Sequence, residues 1–476
     1  MNMVRRRGMN RRQFLRNAGV GAAGLAAAGM MGSGMVSAMP PEPHDYVMYG
    51  ALPDGIKEIT ELSDIEAFLD LVYSESGDTL SIGYGGKYAA ASGDHVVKQV
   101  NLGNIDFGYG IADSHGNAAF QMTSELYWGM PFGMEAPEFF EWLYEGGGID
   151  AFNDALAAAG YGNVYALPLY LTPGEGGAWH TEPLPDYAYK ADAPPGEDSF
   201  EAWGDPDAER WGYYNPNFSK KSQYCKNPTH PHYNKYCVEY SWTKLESDYV
   251  PHQYNIRMFG LGGVVLNHTF PTIGTPKPIA GAAALDDFKS SKYNAVEFYM
   301  PASDVQQYVD KSPNIVQLDH PATVFYENCW NDNVTMSVIW INKTLWNSPG
   351  FPQSAIMNAC KQTMLLSYKR TIDRQDAAIN TIRDLEGPYF VVKQAWPPRI
   401  IDALRVGALE LYNEMAAADP VIFGAVLASM KSFVLGKTRW PSSYSAVENY
   451  AATWGQLIPS YKQNSFDYGD WEALEV

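Results

Sequence analysis

From Ile56 to Leu171 the chain alternates short apolar runs with stretches whose apolar residues recur at helical spacing. That alternation most narrows the fold, because it belongs to α/β proteins rather than to bundles or sandwiches. Helical spacing marks residues 65–73, 95–102, 139–144 and 150–159, and strands are expected at 79–84, 105–109 and 164–171. With 46% hydrophobic and 18% charged residues, 476 residues can build a sizeable core in two or three domains, and the body is not of the disordered class. Composition shifts between 183 and 251, which is rich in Pro, Tyr, Trp, Asp and Asn and lacks periodicity, so it reads as an excursion. Beyond it come a strand at 254–259 running into the glycine-rich turn 260–263, a helix at 282–290 and a strand at 295–300. Helices follow at 354–369, 375–385, 399–418 and 421–433, and the aromatic, acidic tail 440–476 is expected to pack on the body.

The first 38 residues read as an export signal. Asn-Arg-Arg-Gln-Phe-Leu-Arg at 10–16 resembles a twin-arginine motif, residues 17–35 are uncharged and weakly apolar, and Val36-Ser37-Ala38 offers small residues for cleavage. An N-terminal membrane anchor is the other reading, weakened by six glycines in the apolar stretch. Pro-rich residues 39–53 read as a linker. All six charges in the signal are arginines, so the body carries 28 basic against 54 acidic residues. Such a body is a poor binder of nucleic acid or anionic lipid, and no apolar run outside the N-terminus has transmembrane length.

Export implies an oxidising compartment, where Cys225–Cys237 is a natural short-loop disulfide and Cys329 with Cys360 is a second candidate pair. The stretch from Cys225 to Cys237 also contains His230 and His232, so a zinc site is the competing reading, although its spacing matches no common finger. There is no GxSxG, P-loop, HExxH or CxxC motif. His95, His115 and His180 are isolated in sequence and read as polar surface or pocket residues rather than catalytic bases.

Several stretches resemble, in order, the DctP-type solute-binding subunit of TRAP transporters. They are Gly103-Asn104-Ile105-Asp106-Phe107-Gly108, Met130-Pro131-Phe132-Gly133-Met134, and Glu141-Trp142-Leu143-Tyr144 followed by Gly146–Gly148. Gly177-Ala178-Trp179 resembles that family's GGW, with Ala for the second Gly, and Ile256-Arg257-Met258-Phe259-Gly260 its MRIxG. Ala295-Val296-Glu297-Phe298 with Pro301 and Asp304 resembles its AxEWxGPxDD, Phe298 standing where Trp is usual; Asn342, Trp346, Gln353 and Ala359 complete the series. The likeness spans residues 56–440 apart from the excursion.

The resemblance implies an α/β type II periplasmic binding protein, with two lobes, a hinge and a ligand cleft. It implies lobe I at 54–166, lobe II at 167–318 with the excursion 183–251 inside it, a return to lobe I at 319–355, and C-terminal helices and tail at 356–476. Arg257 would capture an organic acid, since a guanidinium fork donates two parallel hydrogen bonds to a carboxylate. Phe132, Tyr109, Trp179 and Phe298 would wall the cleft, with Glu297 beside them. Members for 2-oxo and 2-hydroxy acids also hold a metal at the positions of Glu175, Glu297 and the Phe298 carbonyl. Glu175 replaces the usual Gln, and the added carboxylate favours Ca²⁺ over Na⁺. The implied partners are the organic-acid ligand and the membrane subunits of a TRAP permease, in the periplasm. The competing reading is an exported enzyme on the same scaffold that uses a metal or cofactor. The excursion is open to three roles: capping the cleft, contacting the membrane partner, or dimerising.

Overall fold

The computed structural model describes residues 45–50, 62–87, 93–111, 118–174, 176–181, 184, 203–205, 210–213, 238–240, 256–258, 260–269, 288, 295–297, 300–305, 322–387, 390–438, 464–466 and 468–476. The signal at 1–38, most of the excursion with Cys225 and Cys237, and the helix expected at 282–290 (apart from residue 288) lie outside them.

The first half runs β1 (Tyr46–Gly50), α1 (Leu62–Glu75), β2 (Ile82–Lys87), α2 (Gly93–Leu102), β3 (Phe107–Ile111), α3 (Ala118–Trp128), α4 (Ala136–Glu145), α5 (Gly148–Ala158) and β4 (Val164–Pro173). There follow β5 (Trp179–His180), three short strands β6 (Trp203–Asp205), β7 (Arg210–Tyr213) and β8 (Val238–Tyr240), then β9 (Ile256–Arg257) and α6 (Gly260–Thr269). After these come β10 (Ala295–Val296), α7 (Pro301–Asp304), β11 (Val324–Tyr326) and β12 (Val334–Asn342). The chain closes with α8 (Lys343–Trp346), α9 (Gln353–Arg383), β13 (Val391–Lys393), α10 (Pro398–Ala418), α11 (Phe423–Thr438) and α12 (Tyr468–Ala473).

Two five-stranded sheets organise these elements. The first has the order β2-β1-β3-β12-β4, the second β13-β11-β5-β10-β9, and β6, β7 and β8 form a small antiparallel sheet of their own. In the first sheet β1 runs parallel to β2 and β3, while β12 is antiparallel to both β3 and β4. All nine residues of β12 are buried, as expected of a central strand covered on both faces. β4 is an edge strand, and so tolerates Pro168, which cannot donate to a ladder; the register shifts by one residue beside it. The chain leaves the first sheet after Pro173, so the lobe boundary expected at 166 falls inside β4, whose residues pair with β12 from Val164 to Pro173. It returns after Tyr326 rather than at 319, because β11 still pairs in the second sheet.

Three other expectations are corrected. Tyr46–Gly50, placed in a linker, is a strand, because its Tyr-Val-Met-Tyr run buries Met48 between β2 and β3. Gly260–Gly263 is the start of α6 rather than a turn. The two helices expected at 354–369 and 375–385 are one helix, α9, of 31 residues, about 46 Å long. No Gly or Pro interrupts its 370–374 stretch, and Thr371 Oγ1 bonds back to the Ser367 carbonyl without breaking the ladder. Ile356, Cys360 and Met364 on its first half join the main core with β4, whereas Ile379 and Ile382 near its end join a second core with Trp179, Val296 and Phe325. α9 is therefore a spine shared by both sheets.

Cys329 and Cys360 are both free and buried, so the second disulfide is not formed. The reason is local. Cys329 lies in the segment between β11 and β12, its thiol bonded to Asn331 and to the Asp332 carbonyl, while Cys360 faces inward from α9. The described end of the aromatic tail packs on the body, while 440–463 lie outside the described residues: Asn464 N–H donates to the Cys329 carbonyl and Phe466 N–H to the Phe132 carbonyl.

Two predictions follow from this packing. Asn342 caps α8 through bonds from Thr344 N–H (3.0 Å) and Leu345 N–H (3.3 Å), and its amide donates to the Val100 carbonyl at 2.9 Å. Asn342→Ala should therefore lower unfolding free energy by about 1–2 kcal/mol in urea titration. Alkylation of unreduced protein should leave Cys329 and Cys360 unlabelled in buffer and label both in denaturant; mass spectrometry showing them bridged would contradict the assignment.

Candidate functional site

The strands of the second sheet bring several of the expected residues into one row. Val296 of β10 pairs with Arg257 of β9 on one side and with Trp179 of β5 on the other. Trp179 in turn pairs with Phe325 of β11. Arg257 is placed here by its backbone alone, while Glu175 and Phe298 lie outside the described residues. Glu297 follows Val296 directly and is buried.

Trp179 is turned into the second core. Its ring lies 4.8 Å from Phe325 and 5.9 Å from Phe390, and its Nε1–H donates to Asp304 Oδ2 at 2.8 Å. Burial pushes the Asp304 carboxyl up to about 8; the Trp179 hydrogen bond opposes that shift and the nearby Glu297 reinforces it. Glu297 also acts on Cys329, whose thiol is pushed up chiefly by burial and next by Asp332. Glu297, Asp304 and Asp332 are all buried, and Glu297 acts electrostatically on Asp304 in the second lobe and on Cys329 in the 327–333 segment.

The approach to this row is a tight glycine stretch. Gly177 N–H donates to the Tyr326 carbonyl, and the Gly177 carbonyl accepts from Trp396 Nε1 at 2.5 Å. A Cβ on Gly177 would come within 2.6 Å of the Asn328 carbonyl, so only glycine fits. Ala178 has φ of 97°, a left-handed conformation that an L side chain rarely adopts. This explains why glycine is usual at that position of the GGW pattern.

Phe132 is buried with φ of 57°, held by its N–H to the Trp330 carbonyl (3.0 Å) and its carbonyl to Phe466 N–H (2.6 Å). Its ring lies 5.7 Å from both Trp330 and Phe466. Tyr109, on β3 of the first sheet, is buried, and its hydroxyl has no hydrogen-bond partner among the described residues.

Sequence reasoning missed the 327–333 segment, Glu-Asn-Cys-Trp-Asn-Asp-Asn, which carries no motif; its one signal is a polar run between two apolar strands. It also missed Glu125, a buried carboxylate that accepts from Leu261 N–H at 3.3 Å, at the start of α6. A Cβ on Gly260, where φ is 55°, would come within 2.6 Å of that carboxylate. Among the described residues no group of three or more His, Cys, Asp and Glu is placed to hold a metal; of the expected ligands only Glu297 is described.

No protein-family profile and no curated protein matches the chain. Solved structures do. It is similar over 86% of its length to all of a TRAP periplasmic solute-binding protein from Colwellia psychrerythraea with bound calcium and pyruvate (TM-score 0.57, 16% identity). It is similar over 86% to 99% of one from Pseudoalteromonas atlantica with bound sodium and pyruvate (TM-score 0.56, 16% identity). A third, from Bordetella bronchiseptica with copurified calcium and picolinate, is matched over 86% of this chain and 96% of its own (TM-score 0.55, 15% identity). The chain has the fold of the TRAP periplasmic solute-binding proteins. The two-lobed α/β expectation is met, with the first sheet and its helices as one lobe and the second sheet as the other.

His180, read from sequence as a surface or pocket residue, is fully buried, its ring 4.9 Å from Tyr326 and 5.4 Å from Trp396. Burial lowers its pKa from 6.5 to about 3, against a hydrogen bond to the Gly177 backbone. Because the folded value lies below the unfolded one, the unfolded chain binds the extra proton first as pH falls. Stability contributed by neutral His180 is full above about 6.5 and lost toward 3. Between about pH 6.5 and 5 unfolding free energy should fall by up to about 1.4 kcal/mol per unit, and His180→Phe should flatten that slope in denaturant titrations.

Proposed function

We propose that the protein is the extracytoplasmic solute-binding subunit of a TRAP transporter. It captures an organic acid, of the 2-oxo or 2-hydroxy class, and passes it to the membrane subunits of a permease. The observation that carries this reading is the strand row in which Arg257 and Val296–Glu297 adjoin, on a fold shared with acid-binding receptors over nearly their whole length. A guanidinium suits a carboxylate ligand because its planar fork donates two parallel hydrogen bonds, and a carboxylate suits the cation that would bridge to the same acid. Binding, not turnover, is the proposed activity.

Arg257 is proposed to clamp the carboxylate, with Phe132, Tyr109 and Phe298 as walls. Trp179, turned into the second core, contributes by holding Asp304. Glu175, Glu297 and the Phe298 carbonyl are proposed to hold Ca²⁺ in preference to Na⁺, since two carboxylates and a carbonyl suit a hard divalent ion. The burial of Glu297 supports a cation there, because a carboxylate taken out of water needs an opposite charge to stay ionised. The arginine pair and apolar stretch at the N-terminus support twin-arginine export to the periplasm.

The test is thermal unfolding of the mature protein with mono- and dicarboxylates, 2-oxo acids and 2-hydroxy acids, with and without chelator. A ligand at about 100 times its dissociation constant should add about 2.7 kcal/mol. Arg257→Ala should abolish the shift, and chelator should reduce it. No shift with any acid would defeat the proposal.

A further inference from the structure

Trp330 sits in the segment joining the two sheets, and its ring is fully buried. On one side it lies 5.7 Å from the Phe132 ring, and on the other it meets Trp396 edge-on at 5.5 Å. Its backbone carbonyl accepts the Phe132 N–H. Its sequence neighbours reach the other parts of the proposed site. Cys329 is within electrostatic range of Glu297. Asn331 packs into the space left by Gly262: a Cβ there would lie 2.7 Å from Asn331 Cβ and 3.4 Å from the sulfur of Met258, the residue after Arg257. Trp330 is therefore bracketed by Phe132, by the surroundings of Glu297 and by the strand of Arg257.

The indole Nε1–H can only donate. It is buried and has no hydrogen-bond partner among the described residues. Trp340, inside β12 of the first sheet, likewise has a buried Nε1 that makes no hydrogen bond among the described residues, but three tryptophans elsewhere in the described structure are paired. Trp142 donates to Ser429 Oγ, Trp179 to Asp304 and Trp396 to the Gly177 carbonyl. A buried donor left over at the meeting point of two lobes calls for an acceptor that the described protein does not supply.

We propose that this acceptor is the bound acid: Trp330 donates through Nε1 to an oxygen of the ligand, while Phe132 and Trp396 hold its ring in place. The assignment rests on the organic-acid reading above and adds a residue that the sequence resemblance did not single out. It makes Trp330 a specificity residue, favouring ligands with an acceptor oxygen there over isosteres that carry a methyl or an N–H at that point.

The experiment is calorimetric titration of wild type and Trp330→Phe with pyruvate, lactate, succinate and picolinate, each with Ca²⁺ present. Phe keeps an aromatic ring and removes only the donor and part of the plane. The expected result is binding of at least one acid by wild type and about ten-fold or more weaker binding by a variant that still unfolds cooperatively. Should the variant not fold, wild type labelled with ¹⁵N at the indoles provides the second readout. One buried indole N–H should move downfield and exchange more slowly on adding the acid. Unchanged affinity in a folded Trp330→Phe, or no indole signal responding to a bound acid, would overturn the assignment while leaving the organic-acid reading intact. If none of the acids binds wild type, both fall together.

Discussion

A polar chain that crosses between two lobes must find partners for every buried backbone group it carries, since water does not reach it. The 326–333 segment is bonded from four directions. Tyr326 exchanges bonds with Gly177 and Ala178, and Glu327 and Asn328 N–H donate to Lys393 and Gln394 carbonyls. The Cys329 carbonyl accepts from Asn464 of the tail, and the Trp330 carbonyl from Phe132. Asn333 then reaches the Gly133 and Asn464 carbonyls with its side-chain amide. The second sheet, β13, the Phe132 turn and the tail are thereby tied to one connector. Glu327 adds a paired charge, its carboxylate held by two nitrogens of Arg383 at the end of α9.

Backbone strain collects at the ends of this connector. Phe132 and Ala178 are two of the three non-glycine residues described with positive φ, and each is hydrogen-bonded through its backbone to the 326–330 stretch. Such conformations cost on the order of 1–3 kcal/mol each and persist where the surroundings over-determine them. Here the bonds to Tyr326 and Trp330, the Phe132–Phe466 stack and the Trp396 bond to Gly177 supply that constraint. The same bonds fix the direction of the Phe132 and Trp330 rings, so the wall of the proposed cleft is set by backbone geometry rather than by side-chain packing alone.

The helix-spaced stretches and apolar runs before Leu171 appear in the structure with ends shifted by a few residues, because local periodicity reports which face is buried whatever it packs against. Tyr46–Gly50 was hidden by the prolines around it, and α9 by a polar stretch at 370–374 that still carries the buried Thr371 and Ile372. Of the site, the run around Arg257 and the Ala-Val-Glu-Phe run were legible through their likeness to a known pattern. Trp330, Asp332 and Glu125 were not, because none belongs to a spacing that a single chain advertises; Trp330 gains its meaning from Phe132 and Glu125 from Leu261, each more than one hundred residues away.

Periodicity and composition by themselves determined that this chain makes an α/β body with a large core and a strong negative charge, since both properties depend only on which residue types recur and how often. Pairing was decided by the tertiary structure. Which strand lies beside Arg257, whether Cys329 meets Cys360, which way Trp179 points and why Gly177 must be glycine all depend on contacts between segments distant in sequence. Those contacts form only when two sheets close over a shared helix and a buried connector, and the free energy that selects among them comes from burying the whole set at once.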